Sequence, residues 1–344
     1  MIFMNLAAAS GSGQRADTID RVPAPSTLRA LYTCPPAWRT EWLAVADGHA
    51  LHVQQFGSPR GVAALVLHGG PGSGCSPLLP RFFDPRRYRV ICVDQRGAGL
   101  SRPQGDVAHN TTAHLLADLR ALREHLDVER WLVVGGSWGA TLALAHAADV
   151  PEAVAGLLLR GVFLARGQDI AAFFDGPSHG RPQAWAALAS RAEAEHMSLV
   201  AWLHCLLCSD DATVRAATAL HWWRWEQHLS GIEAPAEPDA QAQGALVARY
   251  RIQSHYLLNR CWLGGLQERC ARLPPVPTLL LHGTLDRICA PEGAAALHAH
   301  LPHSTLRWID GAGHDPTHPR MIDAMVSALD AFATHGAFDA GLSR

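Results

Sequence analysis

The chain contains no lysine; all 29 of its basic residues are arginine. A Walker-type phosphate loop is therefore excluded, because it needs a Lys on the phosphates. Lysine Schiff-base chemistry is excluded as well. Charge of either sign is not in excess: 29 basic residues face 31 acidic ones, for a net −2. A nucleic-acid binder would need a basic stripe, so no nucleic-acid partner is expected. No apolar run approaches the roughly 20 residues of a membrane span, so no membrane partner is expected either. The stretch from Met1 to Ala9 is mildly apolar but lacks the basic residues that open a secretory signal. The expected location is cytoplasmic. Eight cysteines are scattered through the chain, several inside apolar runs such as Val90-Ile91-Cys92-Val93, as for free thiols in a reducing compartment. Cys205 and Cys208 form a lone C-x-x-C without the second pair a zinc site would need, and no metal is expected.

Hydrophobic residues make up 48% and charged residues 17% of 344 residues, enough for a large core. That length suits two domains, or one domain carrying an insertion. Residues 1–28 are small and polar and read as a loose leader. Glu41–Val45 and Leu51–Phe56 flank Ala46-Asp47-Gly48 as strand, turn and strand. Short apolar runs at Ala63–Leu67, Arg89–Val93, Trp131–Val134, Leu157–Leu159, Thr278–Leu281 and Thr305–Ile309 have the character of buried strands. Between the second and third of these runs, residues 111–126 carry leucines at helical spacing. The expected fold is α/β: a mostly parallel sheet covered by helices on both faces. From 165 to 270 the rhythm breaks into Ala-, Trp-, His- and Leu-rich helical patterning without a strand. This segment reads as a helical cap inserted between core segments 29–164 and 271–336, with Pro274-Pro275-Val276-Pro277 marking the return.

Gly135-Gly136-Ser137-Trp138-Gly139 matches G-x-S-x-G after a predicted strand and before a helix expected over Ala140–Ala148. Such a turn holds the serine Oγ clear of the backbone at the C-terminal end of the sheet, where open α/β sheets bind ligands. A serine needs a base. Asp286 and His314 follow two later strands, in the chain order Ser, acid, His expected on this scaffold. His314 would take and return the Ser137 proton, and Asp286 would orient the imidazole. The backbone N–H of Gly70, or of Gly69, and that of Trp138 are candidates for the oxyanion hole. A dinucleotide site is disfavoured: Gly70-x-Gly72-x-Gly74 is not G-x-G-x-x-G, and Pro71 interrupts it.

Taken together with Leu28–Tyr32, His68-Gly69-Gly70-Pro71-Gly72-Ser73-Gly74, Asp94–Pro103, Asn110-Thr111-Thr112, Gly135–Leu144 and Gly311-Ala312-Gly313-His314, the chain resembles the proline iminopeptidases of the α/β-hydrolase fold. The resemblance runs from about residue 28 to 330. It implies a cofactor-free serine exopeptidase that releases N-terminal proline from small peptides, with Ser137, Asp286 and His314 as triad. It implies two cap glutamates that hold the substrate's amine. The first falls on Glu226, in Trp222-Trp223-Arg224-Trp225-Glu226; the second position is Gln253, which keeps an acceptor but loses the charge. Weaker amine selectivity is the expectation. Phe163, with Phe173 or Phe174, is expected to wall the proline ring, and Gly69 to border the substrate. The acid loop departs too, with Thr284-Leu285-Asp286 where the family often has Arg-Tyr-Asp. An esterase or amidase with the same triad remains the alternative, favoured by Gln253; a non-catalytic binding protein is opposed by the intact triad.

Overall fold

The computed structural model describes residues 28–175, 182–232, 236–271, 273 and 275–338. The leader expected over 1–28, save its last residue, lies outside these, as does Pro274. Eight strands form one sheet: β1 (Arg39–Ala44), β2 (Ala50–Gly57), β3 (Val62–Leu67), β4 (Tyr88–Val93), β5 (Trp131–Gly136), β6 (Val154–Arg160), β7 (Thr278–Gly283) and β8 (Ser304–Ile309). Their order is β1-β2-β4-β3-β5-β6-β7-β8. β1 and β2 pair antiparallel, as does β2 with β4, and every later pairing is parallel. The parallel strands are apolar because both faces are covered. β7 is buried at all six positions, whereas edge strand β1 alternates exposed and half-buried.

Helices α1 (Thr112–His125) and α2 (Trp138–Asp149) follow β4 and β5. One core layer packs Leu65, Ile91, Trp131 and Val133 against Leu115, Leu119, Trp138 and Leu142. The opposite layer sets Val66, Leu132 and Leu279 against Met325, Leu329 and Phe332 of the last helix. Between β6 and β7 the described chain has helices and no strand: α3 (Gly167–Asp175), α4 (Gln183–Ala194), α5 (Leu199–Leu207), α6 (Ala212–Leu229), α7 (Ala240–Leu258) and α8 (Leu266–Cys270). Then α9 (Pro291–His300) connects β7 to β8, and α10 (Pro319–His335) closes the fold. No described helix is long and apolar enough to cross a membrane.

Aromatic packing joins the inserted helices. Trp185 stacks on Trp225 at 5.1 Å, and Trp222 stacks on Tyr250 at 5.0 Å. α7 also reaches the sheet's C-terminal end: Tyr256 meets Trp138 edge-on at 5.1 Å and donates to Asn110 Oδ1 at 2.8 Å.

Candidate active site

The parallel strands point the same way, so the loops after β3, β5, β6, β7 and β8 gather at one edge of the sheet. They bring together His68–Gly70, Ser137, Gly161, Asp286 and His314. Ser137 lies between β5 and α2 with φ 58° and ψ −124°, a strained conformation for a non-glycine residue. Its neighbours explain how the strain is held. A Cβ on Gly139 would lie 2.0 Å from the Leu67 carbonyl oxygen, and one on Gly135 would lie 2.3 Å from the Gly139 oxygen. Only glycines let α2 seat this closely on β3 and β5. The helix begins at Trp138, two residues earlier than its sequence pattern suggests, so Ser137 abuts its first turn.

Asp286 is held from several sides. Its Oδ1 accepts backbone N–H bonds from Ile288 at 2.9 Å and Cys289 at 2.8 Å. Its Oδ2 lies 2.7 Å from His314 Nδ1. Burial works to raise the Asp286 pKa, but His314, His282 and the Cys289 amide outweigh it and leave the value lowered. Buried His282 accepts from the Val162 amide at Nδ1, so its Nε2–H faces the Cys289 carbonyl. That ring is neutral, and burial lowers its pKa. The His314 carbonyl accepts from Arg160 Nη1 at 2.5 Å. Burial lowers the Arg160 pKa.

The Ser137 hydroxyl is not hydrogen-bonded to His314; among the described residues its side-chain partner is Cys289 Sγ, at 3.7 Å. Contacts of the serine–histidine kind often tighten only in the substrate complex. Burial, and then the Asp286 charge, push the Cys289 thiol pKa well up, so the thiol is protonated. Cys289 reads in sequence as one buried thiol among eight. Its place three residues after Asp286 was the signal available, and that spacing alone does not reveal contact with Ser137.

The oxyanion candidates occupy two loops joined by one side chain. Trp138 is the first helical residue of α2, so its N–H has no intrahelical acceptor. Gln95, just past β4, accepts from the Trp138 indole at 2.8 Å and donates to the His68 carbonyl at 3.0 Å. Its own amide donates to His68 Nε2 at 3.0 Å, which places the ring proton on Nδ1, facing the Gly69 carbonyl. Burial lowers the His68 pKa. Gln95 thus ties the Gly69–Gly70 loop to the start of α2.

A small cavity beside Ser137 is lined by Gly70, Phe163, Ile170, Phe173, Gln253, Leu257, Ile288 and Cys289. Phe163 and Phe173 both line it. Phe174 does not line it; that ring stacks on Trp185 instead, at 6.2 Å. Gly69 lines a neighbouring cavity, although a Cβ there would sit 4.0 Å from Ser137 Oγ. Glu226, on α6, is buried but does not line the cavity; it stands behind Gln253, whose Nε2 donates to Glu226 Oε1 at 3.1 Å. Two residues that sequence reasoning did not single out complete this end. Arg249 Nη2 binds Glu226 Oε2 at 2.6 Å, and the Tyr250 hydroxyl donates to the same oxygen at 3.0 Å. Helical spacing could have placed both beside Gln253, but only the packing of α6 on α7 brings them to Glu226.

A family model described as the alpha/beta hydrolase fold matches residues 64–199. The chain is 38% identical over 312 residues to a proline iminopeptidase of Xylella fastidiosa, covering 89% of this chain and 100% of that one. It is 35% identical over 324 residues to a proline iminopeptidase of Arabidopsis thaliana, covering 91% of this chain and 85% of the relative. A crystal structure of proline iminopeptidase from Mycobacterium smegmatis superposes with a TM-score of 0.59 at 19% identity, over 87% and 98% of the two chains. The fold is thus the α/β-hydrolase fold that the resemblance implied, and the chain belongs to the proline iminopeptidase family.

Proposed function

We propose that this protein is a prolyl aminopeptidase, a serine hydrolase that releases proline from the N-terminus of small peptides. The observation that carries the reading is the Asp286–His314 pair at 2.7 Å, set at the same sheet edge as a serine in strained backbone geometry. Ser137 Oγ attacks the scissile carbonyl and passes its proton to His314 Nε2. The negative oxygen of the tetrahedral intermediate accepts from the N–H groups of Gly70 and Trp138. His314 then protonates the leaving amine, and the acyl-enzyme forms. Water, giving a proton to His314, attacks the ester; the proton returns to Ser137 Oγ and proline leaves. Asp286 keeps the imidazole oriented throughout. None of these steps draws on a cofactor.

Helices α3 to α8 act in this reading as a cap that limits access to short, unblocked peptides. Phe163 and Phe173 form the apolar wall for the five-membered ring. A cytoplasmic location is part of the proposal, supported by eight cysteines that are all free thiols.

The test compares proline β-naphthylamide, its N-acetyl form and p-nitrophenyl acetate, with Ser137→Ala as control. Strong preference for the free proline amide, lost in the alanine variant, is the expected result. Comparable turnover of the blocked amide or the ester would replace this reading with an esterase or amidase. Absence of fluorophosphonate labelling of Ser137 in folded protein would point to a non-catalytic protein.

A further inference from the structure

The polar end of the Ser137 cavity has an unusual charge balance. Behind Gln253, one hydrogen bond away from the cavity wall, stands the Glu226 carboxylate, and both of its oxygens are engaged: Oε2 by Arg249 and Tyr250, Oε1 by Gln253. The Arg249 guanidinium also lies over the Tyr250 ring, 5.0 Å from its centroid. Burial works against the Arg249 cation, but Glu226 and Tyr250 outweigh it and leave its pKa raised. The Glu226 charge is therefore cancelled where it stands. Donation from Nε2 to Glu226 fixes the Gln253 amide, and its Oε1 is buried with no hydrogen-bond partner. Besides Ser137 and Cys289 at the other end, Gln253 is the polar side chain among the described residues that line the cavity. An orphaned buried acceptor beside a nucleophile calls for a donor on the ligand.

We propose that Arg249 is a specificity-determining residue: by neutralising Glu226 it leaves Gln253 Oε1 as an uncharged acceptor, so the site takes a substrate whose N-terminal nitrogen is an uncharged N–H donor. This deepens the aminopeptidase reading and rests on it. The free base of an N-terminal proline has one N–H to give Gln253. The protonated form would bring a positive charge into a desolvated pocket where the carboxylate behind Gln253 is already paired with a second cation, Arg249.

The other charged or titratable groups do not change that balance. Tyr250, on α7 with Arg249, has its pKa raised well up by burial. His68, on the loop after β3, has its pKa lowered by burial, and Arg249 adds to the lowering. At the serine end stand His314, Asp286, Cys289 and Arg160. His314, the proposed base, serves every reaction of Ser137, so the experiment normalises to a reaction of Ser137 that carries no amine.

The experiment measures kcat/KM for L-proline p-nitroanilide across pH, divided at each pH by the rate of Ser137 inactivation by a sulfonyl fluoride. The sulfonyl fluoride carries no amine, so the ratio cancels His314 and leaves the state of the substrate nitrogen. For the wild type the ratio should fall about tenfold per pH unit below the substrate's own amine pKa. Arg249→Met should abolish that fall and lower KM for the protonated substrate, whereas Arg249→Lys, which keeps the charge, should retain it. Gln253→Glu is a second route that leaves Arg249 in place, and it should flatten the ratio in the same direction. A flat wild-type ratio would overturn the inference, as would an Arg249→Met profile that follows the wild type. No turnover of the proline anilide at any pH, with Ser137 still reactive, would overturn the aminopeptidase reading and this inference together.

Discussion

At the scale of single residues, the site depends on atoms that leave no room for others. Gly161 has φ 54°, and a Cβ there would lie 3.0 Å from His314 Cε1 and 3.3 Å from Asp286 Oδ2. Gly161→Ala should therefore displace the imidazole while leaving the sheet intact. A misplacement on the order of 1 Å can cost about 100-fold in rate. The expected outcome is a kcat reduced by about that factor, with the unfolding midpoint lowered by the equivalent of about 1 kcal/mol for alanine at positive φ. A variant with wild-type kcat would show that the ring position is not set by this contact. The same scale marks the limit of sequence reading. Ser137, Asp286 and His314 are legible because turn chemistry and strand ends place them. Cys289 against Ser137, Arg249 against Glu226 and the three-way bonding of Gln95 are not. Each depends on how separate loops or helices pack, and neither periodicity nor spacing records that.

At the scale of elements, the strands were legible because continuous apolar runs ending in glycines suit both-face burial. Their limits moved by one to three residues, the most at β6, which extends from Val154 to Arg160 rather than Leu157 to Leu159. The strand order was less legible: β3 lies between β4 and β5, so β4 pairs with β2 on its outer side. The seating of α2 gives a prediction that belongs here. Gly139→Ala would press a methyl into the Leu67 carbonyl, 2.0 Å from an ideal Cβ, and backbone cannot yield as a side chain does. Overpacking of this kind costs about 1–3 kcal/mol or more. The unfolding midpoint in urea should fall accordingly, and fluorophosphonate labelling of Ser137 should slow. An unchanged midpoint would mean that α2 can lift off β3 freely.

For the whole molecule, acid is the expected weakness. His68, His146 and His282 are buried, and burial lowers the pKa of each. His146 falls to about 4 and accepts the Trp131 indole N–H at 3.2 Å. A folded value below the unfolded one, about 6.5, means that the unfolded chain binds the extra proton first. Stability from this group is full above about pH 6.5 and drains away as pH falls toward 4. The difference corresponds to about 3 kcal/mol for His146 alone. Urea unfolding at about pH 7.5 and about pH 5 should show the loss. His146→Gln, which keeps an acceptor for Trp131 and does not titrate, should recover much of it. Equal pH dependence in the two proteins would remove His146 from the account.

Helices α3 to α8 occupy what is, in topology, a single crossover between the neighbouring parallel strands β6 and β7. Roughly a dozen residues suffice for such a crossover. Chain-closure entropy grows only with the logarithm of loop length, so a tenfold longer excursion costs only about 2 kcal/mol. The sheet therefore tolerates the length of the excursion at little entropic cost. Glu226, Arg249 and Gln253 all lie inside it; Ser137, Asp286 and His314 all lie outside. On the proposed reading, substitutions inside the excursion change which molecules are admitted and leave the proposed triad in place. A charge removed at position 249 or introduced at 253 is then the kind of change by which one lineage acquires a new diet without inventing a new enzyme.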